Sequence, residues 1–180
     1  LDLSSNALDT TLPNNIFSMT GLEVLDLHDT KLKGSLPEIA SENTQLKFVS
    51  LYQNGLDWKI PTSINNLAHL AHLDLSRNAI ISPFPTAMGE LTWLRYLLVG
   101  NNPFENHDMP PFLEKLTRLR ELSMKKINLT GAIPVFLARL SNLQLLDLDQ
   151  NQLTGSIPEE LGLLNGLNHL LLNRNKLTGT

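Results

Sequence analysis

Leucine-type residues return every 24 positions along this chain, and that spacing restricts the fold more than any other feature. From Leu25 in LEVLDLHDTKLKGSLP the same position recurs at Val49, Leu73 and Leu97, then after one step of 25 at Leu122, and again at Leu146 and Leu170; a backward step reaches Leu1. Residues 1–180 therefore read as one array of eight units, the first and last incomplete, with no shift in composition to mark a linker or a second domain. The array opens within a strand motif, Leu1-Asp2-Leu3, and reaches Thr180 just after Leu177-Thr178-Gly179. Stacked units need protective ends and neither is present, so the expectation is a segment of a longer protein.

Each unit has two halves of different period. The front half, L-x-x-L-x-L-x-x-N-x-L, alternates apolar and polar residues, as in Leu73-Asp74-Leu75 and Leu146-Asp147-Leu148, which predicts one short strand. The back half carries Pro13, Pro37, Pro61, Pro85, Pro110, Pro134 and Pro158, each nine residues before the next unit's first Leu. Apolar residues follow three and six places later, as in Ile64 and Leu67, Met88 and Leu91, Leu137 and Leu140, and Leu161 and Leu164. That spacing predicts a short helical turn, and proline suits its start because it lacks an N–H and has a preset φ. Strand, turn and return at constant length make a coil whose strands stack in parallel, so that neighbours bury each other's leucines.

The strand motif, followed by L-x-G-x-I/L-P in Leu32–Pro37, Leu129–Pro134 and Leu153–Pro158, resembles the plant-type leucine-rich repeat family, and the register covers all 180 residues. The resemblance implies an α/β solenoid: a right-handed superhelix with a parallel β-sheet on its concave face, short helical or 3-10 turns on the convex side, and a lateral set of short strands around the x-G-x-I-P segment. Members of the family include receptor-kinase ectodomains, receptor-like proteins and secreted inhibitors of polygalacturonases, all of which work by binding. The resemblance thus implies a non-catalytic module for a protein, peptide or glycan ligand on the concave face, with a co-receptor as a further partner and a kinase domain to be sought beyond Thr180. Trp58, Ser82 and Asn106 replace the motif glycine in three middle units, and the fifth unit has an extra residue within PFENHDMPP, so lateral strands are expected to lose regularity there.

Composition excludes some partners. The net charge is -4 and the basic residues are scattered, which leaves no track for nucleic acid. No apolar stretch approaches the roughly 20 residues that span a bilayer, so no membrane contact by this segment is expected. Cysteine is absent, and the redox compartment cannot be read. His28, Asp26, His72 and Asp74 lie on strand positions facing one side, and a His–carboxylate set can hold metal or move protons. Parallel strands sit about 4.8 Å apart, however, which separates His28 from His72, two units away, by roughly 10 Å. No catalytic residue, metal or cofactor is therefore expected, and His107-Asp108 in the inserted loop offers nothing better.

A binding surface is easier to find. The residue before each apolar pair gives the column Val24, Phe48, His72, Tyr96, Glu121, Leu145 and His169; the residue after it gives Ser4, His28, Tyr52, Ser76, Gly100, Lys125, Asp149 and Asn173. Phe48, Tyr52, His72 and Tyr96 fall on three consecutive strands and form an aromatic patch, with His28, Asp74 and Arg77 at its rim. Rings with a charged rim are typical of binding hot spots. Cover of the sheet by ladder packing is the alternative reading of the same rings. Lys125 and Lys126, opposite Asp147 and Asp149, read as exposed and weak ion pairs, and Trp58 and Trp93 fall outside the concave columns.

Asn6, Asn54, Asn78, Asn102, Asn151 and Asn175 occupy one column at the strand exit, where a side-chain amide can satisfy inward-facing backbone groups from unit to unit. Thr30 and Ile127 interrupt this ladder. Thr30 can keep part of the bonding; Ile127 cannot, and is expected to be a weak point unless a neighbour supplies the bond. Asn128, one place late, should face outward, and with Leu129 and Thr130 it forms the only N-x-S/T sequence. A glycan there would mark an extracellular or cell-surface ectodomain. Two other readings stand beside that one: a secreted inhibitor of a wall-degrading enzyme, and a cytoplasmic interaction scaffold in which the sequence is accidental.

Overall fold

The computed structural model describes residues 1–41, 45–57 and 59–179; Trp58 and its place in the lateral strands lie outside the described residues. Seven strands form one parallel sheet in chain order: β1 (Val24–Asp26), β2 (Phe48–Ser50), β3 (His72–Asp74), β4 (Tyr96–Leu98), β5 (Glu121–Ser123), β6 (Leu145–Asp147) and β7 (His169–Leu171). Pairing runs Val24 to Phe48 to His72 to Tyr96 to Glu121 to Leu145 to His169, so the column expected before each apolar pair is a row of direct partners. The extra residue of the fifth unit is absorbed between β4 and β5 without a slip, because a one-residue slip would turn Leu122 out of the core.

Proline starts five of the seven returns as expected; after Pro13 the 3-10 helix Ile16–Ser18 is capped by Asn15, and after Pro37 no helix forms among the described residues. Pro61, Pro85, Pro110, Pro134 and Pro158 cap 3-10 helices at Thr62–Asn66, Thr86–Glu90, Pro111–Lys115, Val135–Arg139 and Glu159–Leu163. The apolar residues three and six places on are all buried, and they meet Leu25, Leu73, Leu97, Leu122 and Leu146 in one continuous core. Each such burial contributes about 1.5–3 kcal/mol. The contribution depends on having neighbours: Leu170, stacked on one side only, is 40% exposed where its equivalent Leu146 is fully buried.

The turn after each strand uses a left-handed residue, from Ser5 and Asp29 through Gln53, Arg77, Asn101, Lys126 and Gln150 to Arg174. That conformation costs roughly 1–2 kcal/mol for a residue with a Cβ, and it directs the next side chain inward. At that next position the asparagine ladder forms. Asn78 Nδ2 donates to Leu51 O at 2.9 Å and Leu75 O at 3.0 Å, while its Oδ1 accepts from Leu56 N–H at 3.2 Å. Asn54, Asn102, Asn151 and Asn175 repeat the pattern; Asn6, at the exposed first unit, reaches Leu3 O and Ser4 O.

The two interruptions are repaired differently. Thr30 Oγ1 lies 2.7 Å from Leu27 O, so its hydroxyl takes over one amide bond. At Ile127 the carbonyls stay bonded: Val99 O keeps its bond from Asn102 at 2.9 Å, Met124 O keeps one from Asn151 at 2.8 Å, and the Ile127 N–H donates to Asn151 Oδ1 at 3.1 Å. The N–H of buried Phe104, which stands where Leu56 and Ile80 donate to Asn78 and Asn102, finds no acceptor among the described residues. The expected weak point is narrowed to one bond: each flanking carbonyl loses only its second donor, while the Phe104 N–H loses the acceptor that its equivalents keep, and Ile127 is fully buried. Both interruptions are followed by a second left-handed residue, Lys31 and Asn128. Asparagine tolerates that conformation better than most residues, which gives the displaced Asn128 a conformational reason.

Lateral strands pair at Lys33–Gly34 with Gly55–Leu56, His107–Asp108 with Leu129–Thr130, and Thr154–Gly155 with Lys176–Leu177. Between the first and second pairs no further lateral pairing forms among the described residues, and single bonds run from Ala79 N–H to Leu56 O and from Glu105 N–H to Ile81 O. Gly34 and Gly131 hold φ of 76° and 72° in regular units; Ser82 stands at that position in the lapsed unit, where a side chain disfavours such a φ.

Candidate functional site

The register brings the aromatic residues into two rows. Phe48, His72 and Tyr96 begin three neighbouring strands, and their rings follow one another: Phe48 stacks on His72 with centroids 4.3 Å apart and planes 15° apart, and His72 lies 5.4 Å from Tyr96. The second row starts just past the strands, with His28 6.4 Å from Tyr52 and the Arg77 guanidinium 5.6 Å from the centre of the Tyr52 ring. All four aromatic residues are half-buried, and Arg77 is exposed. Ser50, between Phe48 and Tyr52 on β2, is itself buried at 5%.

The acidic rim is more committed than its sequence suggests. Asp74 Oδ1 accepts from the Ser76 N–H at 2.9 Å and from the Ser76 hydroxyl. Asp26 does the same for the His28 N–H at 3.2 Å and for its ring Nδ1–H at 2.8 Å, and Asp2 and Asp147 accept from the N–H two residues on. Where this column holds aspartate, at Asp2, Asp26, Asp74 and Asp147, it braces the turn that follows, a role its position in L-D-L conceals. Burial holds the His72 imidazole below its ordinary value, against the opposing pull of Asp74, Glu121 and Asp26. Desolvation thereby favours the uncharged ring between Phe48 and Tyr96. Among the described residues no three His, Asp or Glu side chains come together to hold a metal, and no helix is long and apolar enough to cross a membrane.

The second charged cluster differs from the expected exposed pairs. Asp149 is buried, with its side chain 4% exposed, and its Oδ2 accepts from Lys125 Nζ and from Gln150 Nε2, both at 2.8 Å. Its Oδ1 has no partner. Those two hydrogen bonds, and the charges of Lys125 and Arg174, hold this carboxyl below its usual range. Lys126 turns away and lines a separate hollow with Asn101, Asn102 and Asn128. Asn128 is exposed, as expected, and its Nδ2 donates to Phe104 O at 2.8 Å.

One cluster had no counterpart in the sequence reading. Phe84 stacks on buried Phe104 at 4.5 Å and meets His107 at 5.6 Å and Phe112 at 6.2 Å, beside a cleft of about 250 Å³ that Pro83 and Pro110 help to line. His107 Nδ1–H donates to Glu105 O at 2.7 Å, and its Nε2 is buried without a partner. The insertion within PFENHDMPP was the signal that could have found it.

Comparison with known proteins agrees with this architecture. Residues 22–143 match the family described as a leucine-rich repeat region, and residues 142–164 match a leucine-rich repeat. No curated protein matches the chain in sequence. Among solved structures, the ectodomain of the Arabidopsis receptor kinase HAESA, in complex with an N-terminally extended IDA peptide hormone ligand, is 34% identical with a TM-score of 0.93 over 98% of this chain and 30% of that one. The same receptor in complex with the peptide hormone IDA and the co-receptor SERK1 gives the same values. A TDR receptor is 31% identical with a TM-score of 0.93, again over 98% of this chain and 30% of that one. The chain thus spans about a third of these ectodomains.

Proposed function

This chain belongs to the leucine-rich repeat family in its plant-type form, and from that premise we propose that it is a ligand-binding segment of an extracellular receptor or receptor-like protein, acting by recognition and not by catalysis. The observation that carries the reading is the row Phe48–His72–Tyr96 with Tyr52 and Arg77 beside it: half-exposed rings that the core has not claimed, fixed in place by strand register. Such a strip offers a rigid, low-entropy contact surface, and the cation beside it adds direction. A peptide or protein is the favoured ligand class, because the similar HAESA ectodomain has been solved with a peptide hormone and with a co-receptor. A co-receptor is accordingly proposed as the second partner.

The test is a screen of an extracellular peptide library against the wild-type chain and against Phe48→Ala, Tyr52→Ala and Tyr96→Ala. Ligands found with the wild type should bind at least about tenfold more weakly to the variants, as expected of hot-spot truncations. Unchanged binding by all three variants would remove the patch assignment.

Extracellular placement is tested at Asn128. Its amide has two N–H groups and gives one to Phe104 O, which leaves the other for a glycosidic bond. Native protein should lose mass on glycosidase treatment, with the loss mapping to this residue. An unchanged mass would favour the cytoplasmic alternative.

A further inference from the structure

Three arginines line one cleft on the edge of the array where the chain turns into its strands, with Arg95 next in sequence to Tyr96. Arg95 and Arg120 each stand one residue before a strand, β4 and β5, and the Arg120 N–H donates to Arg95 O at 2.8 Å, which places them on neighbouring rungs. Arg118 comes from the turn before β5, and its guanidinium carbon lies 3.8 Å from the centre of the exposed Trp93 ring. Together with Asn142 these arginines line a shallow cleft of about 200 Å³. Asn142 is fixed there by a 2.9 Å bond from its Nδ2 to Thr117 O.

The same column shows what a neutralised arrangement looks like. Glu23 and Lys47, one rung apart, pair at 2.9 Å. The neighbours of Arg95 and Arg120 in that column are Ala71 and Gln144, neither of which carries charge. Acids on the adjoining turns are already engaged, Glu90 with Lys115 at 3.0 Å and Glu114 with Arg139. Among the described residues Arg95, Arg118 and Arg120 form no ion pair, in a chain whose net charge is -4. Gathering like charges on one edge is unfavourable in an isolated segment. Arginine's forked donors match the geometry of an oxyanion, and the cation–π contact fixes one of the three forks in advance.

We propose that this cleft binds an oxyanion, a phosphate, sulfate or carboxylate group carried by a ligand, with Arg95, Arg118 and Arg120 as its donors. The cleft and the aromatic rows are tested with different probes and different substitutions, so either can fail its test without the other.

Trp93 supplies the readout, because an anion drawing on Arg118 alters the cation above its ring. In the chain carrying Trp58→Phe, sodium sulfate, sodium phosphate and sodium acetate are titrated at constant ionic strength set with chloride, and Trp93 fluorescence is followed. Isothermal titration calorimetry on the unmodified chain repeats the measurement without that substitution. A saturable response is expected, weakened about tenfold by Arg95→Gln or Arg120→Gln and unchanged by Arg139→Gln. Preference for sulfate and phosphate would identify a tetrahedral group, and equal response to acetate a carboxylate; both outcomes support the site. A response no larger than that of chloride, or wild-type binding by Arg95→Gln and Arg120→Gln, would overturn it.

Discussion

Asn151 spans the gap that Ile127 leaves in the asparagine ladder, its Oδ1 accepting the Ile127 N–H at 3.1 Å and the Leu129 N–H at 3.0 Å. Asn54 does the same after Thr30, taking the N–H groups of both Thr30 and Leu32. The residue after each interruption therefore carries more of the turn than its equivalents do. Asn151→Ala should cost more than about 3 kcal/mol, since each buried group left unpaired costs about 1–3 kcal/mol. Asn6→Ala, at the exposed first unit, should cost less than about 1 kcal/mol. Urea denaturation of the two variants measures the difference.

Lys125 and Asp149 make a second testable pair. Lys125→Met leaves a buried carboxylate with Gln150 as its remaining side-chain donor, so the denaturation midpoint should fall; adding Asp149→Asn should recover part of the loss. The hydrogen bond from Lys125 is the largest cause of the depressed Asp149 acidity. A carboxyl depressed on folding stabilises above its unfolded value of 3.8 and ceases to do so as pH falls through its lower folded value. Acid unfolding of Lys125→Met should therefore begin at higher pH than that of the wild type.

His72 works in the opposite sense from a paired histidine. Its folded value lies below 6.5 because the ring is desolvated between its neighbours, so the unfolded chain binds the proton more readily. The neutral ring's contribution is complete above about 6.5 and declines as pH falls from there toward the folded value. Between about pH 7 and pH 5 the wild type should lose more stability than His72→Phe, as measured by denaturation midpoints at each pH.

Stability also separates contact surface from structural cover in the aromatic rows. Phe48→Ala and Tyr96→Ala should cost less than about 1.5 kcal/mol if the rings serve mainly as surface, whereas Leu73→Ala in the core should cost about 2–5 kcal/mol. Equal losses for Phe48→Ala and Leu73→Ala would assign the rings to scaffold.

The period of 24 carried most of the fold, because in a stacked coil the position of a residue within its unit decides which way it points. The row Val24, Phe48, His72, Tyr96, Glu121, Leu145 and His169 was readable residue by residue for that reason. Environment was less readable, since it depends on what stands one rung away. Asp149 occupies an outward position yet is buried, Asp74 is bound to Ser76, and Arg95 lies beside Arg120 instead of an acid. The cluster of Phe84, Phe104, His107 and Phe112 brings rings from neighbouring units together around the inserted segment, at positions where the repeat pattern has no fixed residue.

The lapse in lateral pairing between Gly55–Leu56 and His107–Asp108 has a mechanical consequence. Among the described residues one margin of the ribbon is laced by seven strands, while the other is paired toward both ends and joined by single bonds in the middle. A strip fastened this way has its rungs locked in register along one margin and leaves fewer backbone bonds to separate along the other. The rings from Phe48 to Tyr96 lie along the laced margin, level with those single bonds, so their spacing is set by strand register and does not depend on lateral pairing.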